Sequence, residues 1–155
     1  MMTSLCCDVL ACLKGKSLVT AESLTGGGIG AALTAIPGSS EIYKGGIISY
    51  TNAVKENLLG VSHEILETYG AVSQWTAGAM ASGVRKTLKA DVAVAVTGLA
   101  GPGGDEFGHP VGTVFIGYED GKQSSVHHFV FEGTREAVRT KTIEAALRII
   151  LQYNQ

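Results

Sequence analysis

Apolar residues along the chain occur in two patterns, which predict helices and strands in alternation. Residues 2–14 place their apolar side chains at helical spacing, which predicts an N-terminal helix that Gly15 ends. Similar patterns, with Ser62 and Ser73 as N-caps, predict helices at about 27–35, 52–59, 63–69, 74–88 and 134–151. Short apolar and β-branched runs predict five strands, at residues 17–21, 41–50, 91–96, 112–118 and 126–131.

The order of these elements predicts the fold class. Helices between the early strands favour a sheet that is covered on both faces. The last two strands are separated by a turn at Asp120-Gly121, which indicates an antiparallel hairpin. We therefore expect an α/β fold, a three-layer α/β/α sandwich with a mixed sheet of about five strands. No linker or repeat divides the chain, so residues 1–155 are expected to form a single domain.

Composition and charge exclude several classes of protein. Hydrophobic residues make up 45% of the 155 residues and mean hydropathy is +0.22, which excludes a disordered chain. The net charge is -2, which argues against nucleic-acid binding. The cluster of Arg135, Arg139 and Lys141 is interpreted as a solvated helix face. Neither a signal peptide nor a membrane span is predicted, so a cytoplasmic location is expected.

The three cysteines, Cys6, Cys7 and Cys12, fall within one N-terminal segment. Two adjacent cysteines and an odd third one form a poor disulfide framework, and no CxxC motif occurs. We expect buried or half-buried thiols in a reducing compartment, and no metal site.

Two glycine-rich loops, Glu22–Gly28 and Thr97–Gly104, follow predicted strands. In open α/β sheets, ligands bind beyond the carboxyl ends of the strands. The first loop also leads into a helix, whose free N–H groups and dipole suit a phosphate, and Ser23 and Thr25 add hydroxyl donors. The alternative is that the glycines only permit tight turns. Two such loops favour a phosphate-bearing or otherwise anionic ligand.

Standard catalytic motifs do not decide the chemistry. The segment from Gly26 to Ala31 matches a loose dinucleotide fingerprint, but no acidic residue ends the second strand to hold a ribose. Walker, serine-elbow and zinc-protease motifs are absent. The remaining candidates are loop hydroxyls and two lysines, since a buried neutral lysine can activate a serine: Ser23, Ser39, Ser40, Thr97, Lys44 and Lys55. From spacing alone each of them is better interpreted as an ordinary turn or surface residue.

Four segments, taken together, resemble the CinA C-terminal domain family, also known as nicotinamide-nucleotide amidase. They cover most of the chain and occur in the family's order: TAESLTGG at Thr20–Gly27, PGSSEIYKGGIISYTNAVKENLLGV at Pro37–Val61, VAVTGLAGPGG at Val94–Gly104 and PVGTVFIG at Pro110–Gly117. The resemblance implies a serine–lysine hydrolase that converts nicotinamide mononucleotide to nicotinic acid mononucleotide and ammonia. It implies no metal and no organic cofactor, and it implies a homo-oligomer.

The resemblance also implies roles for particular residues. Ser40 is the expected nucleophile and Lys55 its general base, Tyr50 supports the pair, and Ser23 and Thr97 help to hold the amide or its oxyanion. The two loops then contact phosphate and ribose through six residues: Glu22, Thr25, Gly26, Gly27, Gly98 and Gly101. Whether Ser40 or Ser23 is the nucleophile stays open from sequence.

Two alternatives to this function remain. The first is a module that binds a pyridine nucleotide without hydrolysing it, as a sensor. The second is an amidase for another small amide, which the phosphate-suited loops disfavour.

Overall fold

The computed structural model describes residues 2–155. Its helices are α1 (Met2–Cys12), α2 (Gly28–Thr34), α3 (Asn52–Leu59), α4 (His63–Tyr69), α5 (Gln74–Leu88) and α6 (Arg135–Asn154). Its strands are β1 (Leu18–Glu22), β2 (Tyr43–Ile48), β3 (Val92–Gly98), β4 (Thr113–Glu119) and β5 (Ser124–Val130). A short 3₁₀ turn, Ser39–Glu41, precedes β2. Each element predicted from the sequence is present, and three helices have the predicted bounds.

The five strands form one mixed sheet in the order β2-β1-β3-β4-β5. Strand β1 is parallel to both of its neighbours, β2 and β3. Strands β3, β4 and β5 are antiparallel to one another in turn, which confirms the predicted hairpin. The chain therefore forms β2 on one side of β1 and then crosses over to form β3 on the other side. That reversal makes the carboxyl ends of β1 and β3 the topological switch point, where open α/β sheets bind ligands.

The two faces of the sheet carry side chains of different size. Alternate residues of β3 face opposite sides, so Val92, Val94 and Val96 pack in the larger core cluster and Ala93 and Ala95 in the smaller one. The larger cluster also holds the apolar residues of α1, α2 and α6, and the smaller one holds those of α3 and α5. Helices cover both faces, as the three-layer prediction required.

Small side chains allow α5 to lie close to the sheet. A Cβ atom at Gly117 of β4 would collide with the backbone of Ala77 and approach the side chain of Ala81, both on α5. Ser73 begins this helix as predicted, because its hydroxyl accepts a hydrogen bond from the Thr76 amide at 3.0 Å. The tight packing fixes the segment before α5, which becomes one wall of the cleft described below.

The cysteines differ from one another in exposure. Cys6 is buried and Cys12 is half-buried, but Cys7 is exposed on α1, so the expectation of three sheltered thiols is wrong for that residue. The helical period explains this, since adjacent positions on α1 point about 100° apart. Within residues 2–155 no helix is long and apolar enough to cross a membrane.

Candidate active site

A cleft of about 460 Å³ opens at the carboxyl ends of β1 and β3. Its lining comes from four segments: the turn after β1, the start of α3, the α4–α5 connection and the loop after β3. Arg135, at the start of α6, adds a cationic side chain to the rim. The cleft thus lies at the switch point, and its lining includes three buried polar residues, Ser23, Lys55 and Thr97.

Ser23 and Lys55 meet at the buried end of this cleft. Glu22 and Ile48 are paired in the parallel ladder, so Ser23 and Ser49 leave the sheet side by side. The chain then turns into α3, whose N-cap Thr51 accepts a hydrogen bond from the Val54 amide. One turn later Lys55 points back at the strand ends, and its Nζ donates to Ser23 Oγ at 3.1 Å.

Burial alters the acid–base chemistry of Lys55. Its side chain is 1% exposed, and this burial lowers its pKa from 10.5 to about 8. The reason is desolvation, because an ammonium removed from water loses hydration that a neutral amine does not need. A lysine with this pKa supplies a substantial fraction of neutral amine near pH 8 and can act as a general base.

Two backbone carbonyls orient the amine. Lys55 Nζ donates to Ser49 O at 2.8 Å and has a longer contact with Tyr50 O at 3.4 Å. A neutral amine has two N–H groups and one lone pair. If the two carbonyls take the N–H groups, the lone pair faces Ser23 Oγ and can accept its proton. The arrangement therefore fits a serine nucleophile with a lysine base.

The first glycine-rich loop does not offer the phosphate site that the sequence predicted. The Glu22 carboxylate accepts hydrogen bonds from the amides of Ile29 and Gly30 at 2.8 and 3.1 Å and from the Thr25 hydroxyl at 2.6 Å. The N-terminus of α2 is therefore already occupied by an internal carboxylate. The lining of the cleft does not include four residues that were expected to contact substrate: Glu22, Thr25, Gly26 and Gly27.

The second loop does line the cleft, through residues 97–103. Gly98 and Gly101, which the resemblance implies as substrate contacts, are among them. The Thr97 hydroxyl donates to Ala71 O at 2.7 Å, so it holds the wall before α5 and is not a free donor in this structure. The loop is also tied to α6, because Arg135 donates to Gly101 O at 2.7 Å.

Tyr50 and Ser40 are placed differently relative to Lys55. Tyr50 lines the cleft, its carbonyl faces Lys55, and its hydroxyl accepts from Arg135 at 3.1 Å. Ser40 is exposed in the 3₁₀ turn that precedes β2. Six residues of β2, roughly 20 Å of strand, separate that turn from the end of β2 next to Lys55. Within this chain Ser40 and Lys55 are therefore not brought together, contrary to the pair expected from sequence, and Ser23 is the serine that Lys55 contacts.

Two arginines of α6 belong to the site although the sequence did not predict them there. Arg135 and Arg139 were interpreted as a solvated face, but both reach loops of the site. Arg139 donates to Leu24 O at 2.9 Å and to Thr25 O at 3.1 Å. Their i,i+4 spacing was the available signal, since it places both side chains on one side of the helix. Which loop lies beside that face depends on how α6 packs.

Comparison with known proteins agrees with this architecture. The family model described as the CinA C-terminal domain matches residues 4–154. A CinA-like protein of Parasynechococcus marenigrum is 48% identical over 148 residues, which cover 93% of this chain and 35% of that protein. A CinA-like protein of Synechocystis is 49% identical over 122 residues, covering 79% of this chain and 29% of its own length. The chain thus spans about a third of the length of these curated relatives.

Solved structures match over nearly their whole length. The competence/damage-inducible protein CihA of Agrobacterium tumefaciens is 39% identical, with a TM-score of 0.95, covering 99% of this chain and 96% of that one. A CinA superfamily protein of Enterobacter cloacae is 32% identical, with a TM-score of 0.97, covering 100% and 93%. Fold and cleft together define a three-layer α/β protein with its candidate site at the sheet's switch point. The chain belongs to the CinA C-terminal domain family.

Proposed function

We propose that this protein is an amidohydrolase that removes ammonia from nicotinamide mononucleotide, with Ser23 as nucleophile and Lys55 as general base. The observation that carries the proposal is the 3.1 Å contact between Lys55 Nζ and Ser23 Oγ. The lowered pKa of Lys55 supports it, because a base must be neutral before it can accept a proton. The substrate is the one that the resemblance to the family implies.

The chemistry is acyl transfer in two stages. Neutral Lys55 takes the Ser23 proton while Oγ bonds to the carboxamide carbon, and the carbonyl oxygen becomes an oxyanion. Lys55 then returns that proton to the nitrogen, the C–N bond breaks, and ammonia leaves an acyl-enzyme ester. Water attacks the ester with Lys55 again as base, which releases the carboxylic acid and restores the Ser23 hydroxyl.

The cationic rim supports a nucleotide monophosphate as substrate. Because Glu22 occupies the N-terminus of α2, the phosphate needs a donor elsewhere in the cleft. Arg135 has a guanidinium on the rim, and guanidinium groups bind phosphate through two N–H donors at once. We place the phosphate near Arg135 and the carboxamide near Ser23.

The test is ammonia release from nicotinamide mononucleotide by the wild type, Ser23→Ala and the matched control Ser40→Ala. Ser23→Ala should lower kcat by at least about 10³-fold, since it removes the atom that forms the ester. Ser40→Ala should stay within about twofold of wild type, because this exposed serine lies at the far end of β2. Mass spectrometry of the quenched reaction should show the acyl group on Ser23.

Other outcomes would contradict the proposal in different ways. Full activity in Ser23→Ala together with loss in Ser40→Ala would restore the nucleophile that the sequence suggested. No ammonia from the wild type, with the nucleotide still bound, would favour the non-catalytic sensor. Activity on simple nicotinamide equal to that on the nucleotide would remove the role given to the phosphate.

A further inference from the structure

The turn after Ser23 is held from outside the cleft by one side chain. Arg139 on α6 donates through Nε to Leu24 O at 2.9 Å and through Nη2 to Thr25 O at 3.1 Å. Both carbonyls belong to the two residues that follow the proposed nucleophile. A planar guanidinium that contacts two successive carbonyls restricts the rotation of both peptide planes.

The amides of the same turn differ in whether they are paired. The Ser23 amide donates to Val96 O at 3.1 Å, and the Gly26 amide donates to Ser23 O at 3.1 Å. Within residues 2–155 the amides of Leu24 and Thr25 have no hydrogen-bond acceptor. Most buried backbone N–H groups in proteins are paired, so two successive free ones beside a nucleophile require an explanation.

Peptide geometry connects the arginine to these amides. In a trans peptide the C=O and the following N–H point in opposite directions, and the peptide bond between Leu24 and Thr25 is trans. When Arg139 holds Leu24 O towards α6, the Thr25 amide is directed away from α6. Arg139 also holds Thr25 O, so the Gly26 amide is directed away from α6 and onto Ser23 O, and that contact sets the direction of the Leu24 amide.

We propose that the amide of Leu24, a residue that lines the cleft, donates to the oxyanion, and that Arg139 is the positioning residue that fixes the direction of this amide. This inference rests on the proposed amidohydrolase function. The amide of the residue after a nucleophilic serine is a common oxyanion donor.

The test compares Arg139→Met with Arg148→Met. Arg148 lies on the same helix, is exposed and pairs with Glu144 at 2.8 Å, so its removal controls for loss of an arginine from α6. Arg139→Met should lower kcat by about 10–100-fold, somewhat less than the loss of a whole oxyanion donor, with KM changed by less than about threefold. Arg139→Lys should stay well below wild type, because it keeps the charge but loses the planar pair of donors that reaches both carbonyls. Arg148→Met should match wild type.

Two further measurements separate positioning from general loosening of the fold. The pH midpoint of kcat should stay near that of wild type in Arg139→Met, because Lys55 remains buried. The rate at which a fluorophosphonate labels Ser23 should fall in parallel with kcat, because its phosphoryl oxygen needs the same amide donor. If the pH midpoint of kcat shifts in Arg139→Met and KM rises by as large a factor as kcat falls, Arg139 only supports the fold. That result would overturn the inference.

The outcomes also distinguish the two proposals. Full kcat and full labelling in Arg139→Met, with Ser23→Ala inactive, would overturn the inference and leave the function intact. A wild type that labels at Ser23 but releases no ammonia would overturn the function, while slower labelling in Arg139→Met would still support the oxyanion hole. A wild type that fails in both assays would overturn both.

Discussion

Glu22 and Lys55 are buried ionisable residues on two sides of Ser23, and their surroundings differ. Glu22 is 2% exposed, and its carboxylate accepts three hydrogen bonds, two of them from the N-terminus of α2. Lys55 is 1% exposed, and among residues 2–155 it faces one hydroxyl and two neutral carbonyls, with no carboxylate in hydrogen-bond contact. A buried group with matched partners stabilises the fold, whereas one without a counter-charge stays chemically reactive at a cost in stability.

The largest expected change in stability comes from the substitution of Glu22. Glu22→Ala leaves two helix amides and the Thr25 hydroxyl without an acceptor, so it should lower the free energy of unfolding by about 3–5 kcal/mol. Urea denaturation measures this, with exposed Glu41→Ala as the control that should stay within about 0.5 kcal/mol. A loss below about 1 kcal/mol for Glu22→Ala would show that the carboxylate is not a structural cap.

The next effect is the pH dependence that Lys55 imposes on stability. Its pKa is about 8 in the folded protein and 10.5 as the ordinary value, so between these pH values the unfolded chain binds the extra proton. Stability therefore rises with pH across that window, by up to about 3 kcal/mol, and the full burial cost is present below pH 8. The measured quantity is the difference between wild type and Lys55→Met from pH 7 to 10.5, in which other titrating groups cancel. If the stability difference between wild type and Lys55→Met does not change with pH, Lys55 is not a buried amine without a counter-charge.

The smallest effect is the change in stability of Lys55→Met at pH 7. Methionine has a similar length and avoids burying an ammonium, but it leaves the Ser49 carbonyl without its donor. We expect the variant to be about 1–3 kcal/mol more stable than wild type while releasing no ammonia. Thermal unfolding and the ammonia assay together check this. If the variant is less stable than wild type, Lys55 is a residue that stabilises the fold, as Glu22 is.

The sequence predicted the secondary structure well because the signals were local. Apolar spacing, the N-caps Ser62 and Ser73 and the glycine stops each act within a few residues of themselves. The valine and alanine alternation of β3 was visible as one apolar run, although which face would receive which helix was not.

The site was predicted less well, because it depends on pairs of residues that are distant along the chain. Both glycine-rich loops are expected from sequence to contact phosphate and ribose, and the structure separates them: the second lines the cleft, and the first does so only through Ser23 and Leu24. Glu22 turns its carboxylate onto the first turn of α2, a local contact that could have been considered from its position before the loop. Ser23 faces the opposite side, where Lys55 arrives only because β2 is parallel to β1 and α3 follows it.

What the sequence determined by itself is therefore the list of elements, the fold class and the residue types available for chemistry. Tertiary structure alone decided that Ser23 rather than Ser40 contacts Lys55, and that α6 brings Arg135 and Arg139 to the two loops. The physical reason is the range of each interaction. Helical spacing and capping act over one or two turns, whereas strand order and helix packing, which build this site, depend on the whole core.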